Sequence, residues 1–195
     1  MASYLEKCFE LYSSGKNIKQ IIENIYINYA SIDNNDKIYE YKKIISQEFD
    51  ISLKDIKLIG SSHTLFSIKD GTKEKTTSND YDFAIINTSL FNKYWAKIIL
   101  NDKEPKKTFF NYLILGKIHP YYLAKDGVVY KEIKDKLKKL NADKSATICI
   151  YMCEEFFIKN LCDYLESDLI KYFTRIKSDV SSTGTLIVKE LNKIR

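Results

Sequence analysis

The sequence predicts an α/β protein of the α+β kind, a small mixed β-sheet flanked by helices. Three observations carry that reading. Apolar runs of strand length stand at Ile56–Ile59, Tyr81–Ile86 and Ala146–Met152. Around them, apolar residues recur at the three- and four-residue spacing of amphipathic helices. Polar groups that could do chemistry concentrate at strand ends, where Gly60-Ser61-Ser62 closes the first strand and Asp80-x-Asp82 opens the second.

Each element follows from local pattern. Tyr4, Leu5, Cys8, Phe9, Leu11 and Tyr12 form a helical stripe within Ala2–Ser13, ended by Ser13-Ser14-Gly15. Ile18–Tyr29 repeats it with Ile18, Ile21, Ile22, Ile25, Tyr26 and Tyr29. The Ser31–Asp36 turn supplies an N-cap for a third helix over Lys37–Phe49. These residues, 1–50, read as a helical extension packed on one side of the core formed by residues 51–195. Ser52–Asp55 turns, Ile56–Ile59 is a buried strand, and a helical turn begins at Ser62–Phe66. Ile68–Asn79 reads as an extended polar loop. Tyr81–Ile86 is apolar on both faces past its acids, as a central strand requires.

Asn87-Thr88-Ser89 caps a helix over Leu90–Leu100. Thr108–Leu115 is a helix closed by Gly116. Lys117–Asp126 reads as irregular, and Val128–Leu140 as a lysine-rich helix from about Tyr130. Glu154–Ile176 is a long helix that Ser178–Gly184 should break, leaving Thr185–Ile194 as a short helix or an edge strand.

Composition narrows the function classes. A chain of 195 residues with 45% hydrophobic and 29% charged residues is long enough for one well-buried domain. Its longest apolar runs are far short of a membrane span, and Met1–Lys7 does not read as a secretion signal, so a cytoplasmic protein is expected. Cys8, Cys149, Cys153 and Cys162 contain no Cys-x-x-Cys pair and read as reduced thiols. The net charge of +5 comes from lysine, with Arg175 and Arg195 the only arginines. That balance permits a polyanionic partner without demanding one. Neither a Walker-type glycine loop nor a serine–histidine–acid order is present.

The chemistry lies in Lys57–Ile86. Residues i and i+2 of a strand share a face, so Asp80 and Asp82 project side by side while Tyr81 and Phe83 enter the opposite layer. Two neighbouring carboxylates favour a cation between them, and hard oxygen donors suit Mg²⁺. Glycine at the end of a buried strand permits close approach of a ligand or another backbone. Serine hydroxyls and the N–H groups of a following helical turn can grip a phosphate. Side by side, the two motifs suit phosphoryl or nucleotidyl transfer.

The order strand, Gly-Ser, helical turn, loop, Asp-x-Asp strand, helix resembles the nucleotidyltransferase superfamily with a DNA polymerase β-like palm. The matching residues are Leu58-Ile59-Gly60-Ser61-Ser62 and Asn79-Asp80-Tyr81-Asp82-Phe83-Ala84-Ile85-Ile86. Leu90-Phe91 with Tyr94-Trp95 looks like the helix that follows in small bacterial members. The resemblance implies that Gly60 and Ser61, with Ser62 and His63 beside them, hold a nucleoside triphosphate. It also implies that Asp80 and Asp82 hold two Mg²⁺ ions, and that a nucleotide is moved to a protein or RNA acceptor, as in toxin–antitoxin or phage-defence systems. A third carboxylate is expected from a later strand. Ala146–Met152 contains no acid, and Glu154 just after it is the candidate. His63 has a second reading, as a histidine facing solvent or satisfying a backbone carbonyl.

Two rival readings stand beside the enzyme. One is the same fold with a degenerate site that binds a nucleotide or a protein partner, alone or as an oligomer. The other is a lysine-coated nucleic-acid-binding protein in which the acids are incidental. His119, in its Ile-His-Pro segment, is assigned no role.

Overall fold

In the computed structural model the described residues are 4–31, 36–67, 73–74, 80–101, 107–125, 128–140 and 145–191. Helix α1 (Tyr4–Ser13) leads to α2 (Ile18–Glu23), which a capping box at Asn17 and Gln20 starts. The backbone then loosens into one π-helical stretch, Asn24–Asn28. Helix α3 (Asp36–Phe49) follows, then a 3₁₀ turn at Leu53–Asp55 and strand β1 (Ile56–Ile59). A single helical turn, α4 (Ser61–Thr64), precedes a short hairpin of β2 (Phe66–Ser67) and β3 (Lys73–Glu74). The polar stretch expected as a loop over Ile68–Asn79 thus contributes one strand of that hairpin. Its remaining residues lie outside those described.

Strand β4 (Asp80–Ile86) is followed by α5 (Thr88–Asn101), whose first turn is capped where Asn87 Oδ1 accepts from the Leu90 N–H at 2.9 Å. Helix α6 (Lys107–Ile114) leads to the edge strand β5 (Lys117–Ile118) and α7 (Pro120–Lys125). The segment expected to be irregular is therefore ordered. Proline at the first helical position costs no hydrogen bond and has a suitable φ, and Ile118 is drawn into the core. Helix α8 (Val128–Leu140), strand β6 (Ser145–Tyr151) and helix α9 (Glu154–Leu191) complete the fold. Helix α9 runs unbroken through the Ser178–Gly184 stretch. Ser178 Oγ donates back to the Arg175 carbonyl at 2.7 Å, an arrangement compatible with the helix, and a helical glycine costs only about 1 kcal/mol.

The sheet order is β1-β4-β6-β5. β1 is antiparallel to β4, β4 is parallel to β6, and β5 is antiparallel to β6. Each face buries its own core. Tyr81, Phe83, Ile85, Ile148 and Ile150 meet α3, α5, α7 and α8 on one side. Ala84 and Tyr151 meet α1, α2 and α9 on the other, with Phe157 and Phe173 at its centre. The N-terminal helices therefore do not share one side. Tyr41 of α3 packs edge-on against Tyr81 at 5.2 Å, whereas Tyr12 of α1 stacks on Phe173 at 4.5 Å. Among the described residues no helix is long and apolar enough to cross a membrane.

Candidate functional site

Strand pairing decides what surrounds Asp82. Its register partner is Ile59 in β1 and Thr147 in β6. Residues that face each other across neighbouring strands share a face, so Asp80, Asp82, Ser145 and Thr147 all point to the α1–α2–α9 side. Asp80 and Asp82 are both half-buried, as the Asp-x-Asp pattern predicts for a same-face pair at a strand entrance.

Gly60 follows Ile59 directly and adopts φ +67° and ψ −154°. A Cβ there would lie 2.9 Å from Asp82 Oδ2. Glycine is required on both counts, for the backbone conformation and for the space the carboxylate fills. The other carboxylate oxygen, Oδ1, accepts a hydrogen bond from the Thr147 hydroxyl. Asp82 thus lies between the Gly-Ser turn of one neighbouring strand and the threonine of the other, which bonds it.

The remaining turn residues divide. Ser61 is half-exposed at the start of α4. Ser62 is fully buried, and its Oγ donates to the Ile59 carbonyl at 3.0 Å. The Gly60 carbonyl accepts from the N–H groups of His63 and Thr64 and from Thr64 Oγ1.

His63 is buried as well. Its Nε2 donates to the Ile25 carbonyl at 2.7 Å, so in the neutral ring Nδ1 accepts from Ser31 Oγ at 2.8 Å. The ring stacks on Tyr26 at 4.7 Å, and Tyr26 in turn hydrogen-bonds Thr64. Burial lowers the His63 pKa to about 4. The Ile25 carbonyl opposes that shift, and the Lys57 and Lys42 ammonium groups add to it. The expected phosphate contacts of Ser62 and His63 are therefore corrected: both side chains are spent on bonds inside the protein. The histidine reads instead as the pin between the π-helical stretch and the Gly-Ser-Ser turn, the carbonyl-satisfying role that was its second reading.

Glu154 is corrected too. It lies three residues beyond Tyr151, which pairs with Ile86 at the far end of β4. Thr147 and Tyr151 are four steps apart along β6, about 13 Å at the usual rise, and Glu154 is exposed beyond that. It cannot share an ion with Asp82. The residue standing level with Asp82 in the later strand is Thr147. Sequence reasoning missed it because it looked for an acid; the usable signal was the alternation of Ala146, Ile148 and Ile150 with Thr147 and Cys149.

The Asp82 carboxylate adds to the shifts of two buried groups near it. Burial pushes the Cys149 thiol up to about 11; Lys117 opposes that shift, and the Asp82 carboxylate reinforces it. Burial, helped by Cys149 and Asp82, also raises the Tyr151 phenol.

The donor chemistry fits one hard cation. Each carboxylate has several lone-pair sites, so Asp82 keeps acceptor capacity beyond the Thr147 bond. Mg²⁺ commonly takes one or two carboxylates and completes its shell with water and substrate phosphate. A pair of ions is a poorer fit, because the position beside Asp82 carries a neutral hydroxyl. Among the described residues no group of three or more His, Cys, Asp or Glu is placed to hold a metal. Compared with known proteins, the chain matches no family model, no curated protein and no solved structure.

Proposed function

We propose that this chain is a nucleotidyltransferase-like module that binds a nucleoside triphosphate together with one Mg²⁺ ion at Gly60, Ser61, Asp80 and Asp82. In this reading it serves as a nucleotide-binding subunit rather than as an efficient transferase. The observation that carries the reading is Thr147 bonded to Asp82 at the level where the resemblance calls for a third carboxylate. Asp80 and Asp82 on one face, with the Gly60 turn against Asp82, support the nucleotide reading. A threonine hydroxyl supplies neither the charge that would bridge a second ion nor a base for an attacking hydroxyl.

The test is a panel of the four ribonucleoside triphosphates with and without Mg²⁺, read by thermal unfolding and by pyrophosphate release. At least one nucleotide should raise the unfolding temperature only when Mg²⁺ is present, with release at the buffer rate, and Asp82→Asn should abolish the shift. Pyrophosphate release that scales with protein and vanishes in Asp82→Asn would make the chain a transferase. Absence of stabilisation by every nucleotide would end the nucleotide reading. Salt-sensitive RNA binding that survives Asp80→Asn and Asp82→Asn would favour the lysine-coated nucleic-acid binder.

A further inference from the structure

The β6 residues that face the α1–α2–α9 side form a row that is open along part of its length. Strand β5 pairs only with Ile150 and Tyr151, so among the described residues no strand flanks β6 on that side before them. Thr147 and Cys149 are accordingly half-buried, whereas Ala84 beside Cys149 and Tyr151 beyond it are buried. At one end of the row stands Asp82, level with Thr147, with the Gly60 turn against it. At the other end stands Lys117 of β5, level with Tyr151 and therefore on the same face.

Two tyrosine rings fix the position of the Lys117 ammonium. Its Nζ lies 5.0 Å from the ring centroid of Tyr112, on α6, and 5.5 Å from that of Tyr151. His119 stacks on Tyr112 at 5.5 Å. Lys117 is half-buried, and none of the ion pairs among the described residues involves it. An aromatic face holds the charge without offering a lone pair, so the three ammonium donors keep their demand for acceptors. The Cys149 thiol, between the two ends of the row, feels both the Asp82 carboxylate and the Lys117 ammonium.

We propose that Lys117 is the specificity-determining residue of the nucleotide site and selects guanine, its ammonium donating to O6 and N7 of the base. The inference rests on the nucleotide reading and adds the base to it. The backbones of Asp82 and Lys117 are two strands and four residues apart, about 16 Å at the usual spacings. An extended nucleoside triphosphate bridges that gap. Its phosphates lie at Gly60, Ser61 and the metal, its sugar over Thr147 and Cys149, and its base at β5. Lysine donates hydrogen bonds and cannot accept them. Guanine places two adjacent acceptors, O6 and N7, on one edge, where adenine and cytosine carry an amino donor.

The test is calorimetric titration of the full chain with GTP, ATP and CTP in the presence of Mg²⁺. The parent should bind GTP about tenfold more tightly than ATP or CTP. Lys117→Met keeps the side-chain stem and removes the charge. It should bind GTP only as well as ATP, with ATP affinity unchanged, and that retained binding shows the variant to be folded. Lys138→Met removes an equal charge from an exposed position of α8, on the other side of the sheet, and should leave the preference intact. Inosine triphosphate, which keeps O6 and N7 and lacks the 2-amino group, should bind the parent like GTP; this arm needs no variant. A parent without preference for GTP overturns the proposal, as does inosine triphosphate binding no better than ATP. A Lys117→Met chain that keeps the preference, or that loses all three nucleotides equally, also overturns it while leaving the nucleotide reading in place. Binding of no nucleotide by the parent ends both.

Discussion

The hydroxyl of Thr147 donates to Oδ1 of Asp82, its register neighbour in the next strand. A hydrogen bond to an ionised group contributes more than a neutral one, but Asp82 is half-exposed and water competes. Thr147→Val keeps the shape and removes the donor. It should lower stability by about 1 kcal/mol, read as a lower urea midpoint at unchanged slope. A midpoint equal to or above that of the parent would show that the bond contributes nothing.

Thr147→Asp probes the same position from the other direction. It places a third carboxylate level with Asp82, where the resemblance expects one. If the proposed nucleotide reading holds, calorimetric titration in the presence of the stabilising nucleotide should find a second Mg²⁺ equivalent in the variant. Without Mg²⁺ the variant should be less stable than the parent, because like charges on neighbouring strands repel. A stoichiometry unchanged from the parent would count against the metal-site reading of this face.

Gly60 is irreplaceable for two separable reasons, and Gly15 isolates one of them. Both have positive φ, at +67° and +88°, yet a Cβ on Gly15 meets nothing within 4 Å. Gly60→Ala should cost about 1–3 kcal/mol from the backbone alone. It should also displace the Asp82 carboxylate, abolishing Mg²⁺-dependent stabilisation by nucleotide. Gly15→Ala should carry a backbone cost only, with nucleotide response intact. Equal loss of nucleotide response in both variants would show that the Gly60–Asp82 contact is not what matters.

His63 makes stability depend on pH. Its folded pKa is about 4, below the ordinary value near 6.5, because the buried ring resists charging. Between those values the unfolded chain binds the proton and the folded chain does not. Its contribution is therefore fully present above pH 6.5 and is lost as pH falls toward 4. The full loss amounts to about 3 kcal/mol. Denaturant midpoints from pH 7.5 to 4.5 should fall in the parent and fall less steeply in His63→Gln. Parallel profiles would remove His63 as the cause.

Much of the fold was legible from pattern. The bounds of β1 coincide with the predicted Ile56–Ile59 strand, β4 starts one residue earlier than predicted, and β6 is shifted by one residue at both ends. The shared face of Asp80 and Asp82 followed from strand geometry alone. Two expectations failed. A Gly- and Ser-bearing stretch did not end α9. The N-terminal helices, alike in their stripes, were divided between the two faces of the sheet, with α3 on Tyr81 and Phe83 and α1 on Phe173.

By itself, the sequence determined strands β1, β4 and β6, the longer amphipathic helices, and a Gly-Ser turn and an Asp-x-Asp pair at strand ends, because those follow from alternation and turn chemistry within a few residues. Only the tertiary structure decided that Thr147 rather than Glu154 stands beside Asp82, that Gly60 receives the Asp82 carboxylate, and that His63 braces Ile25 and Ser31 instead of facing a ligand. The reason is register. Hydrogen-bonded pairing of β1, β4 and β6 sets which residues lie level across the sheet, and that pairing joins residues 23 and 65 positions apart, Ile59 with Asp82 and Asp82 with Thr147. Contacts of that range are set by the packing of both faces at once, which no local window contains.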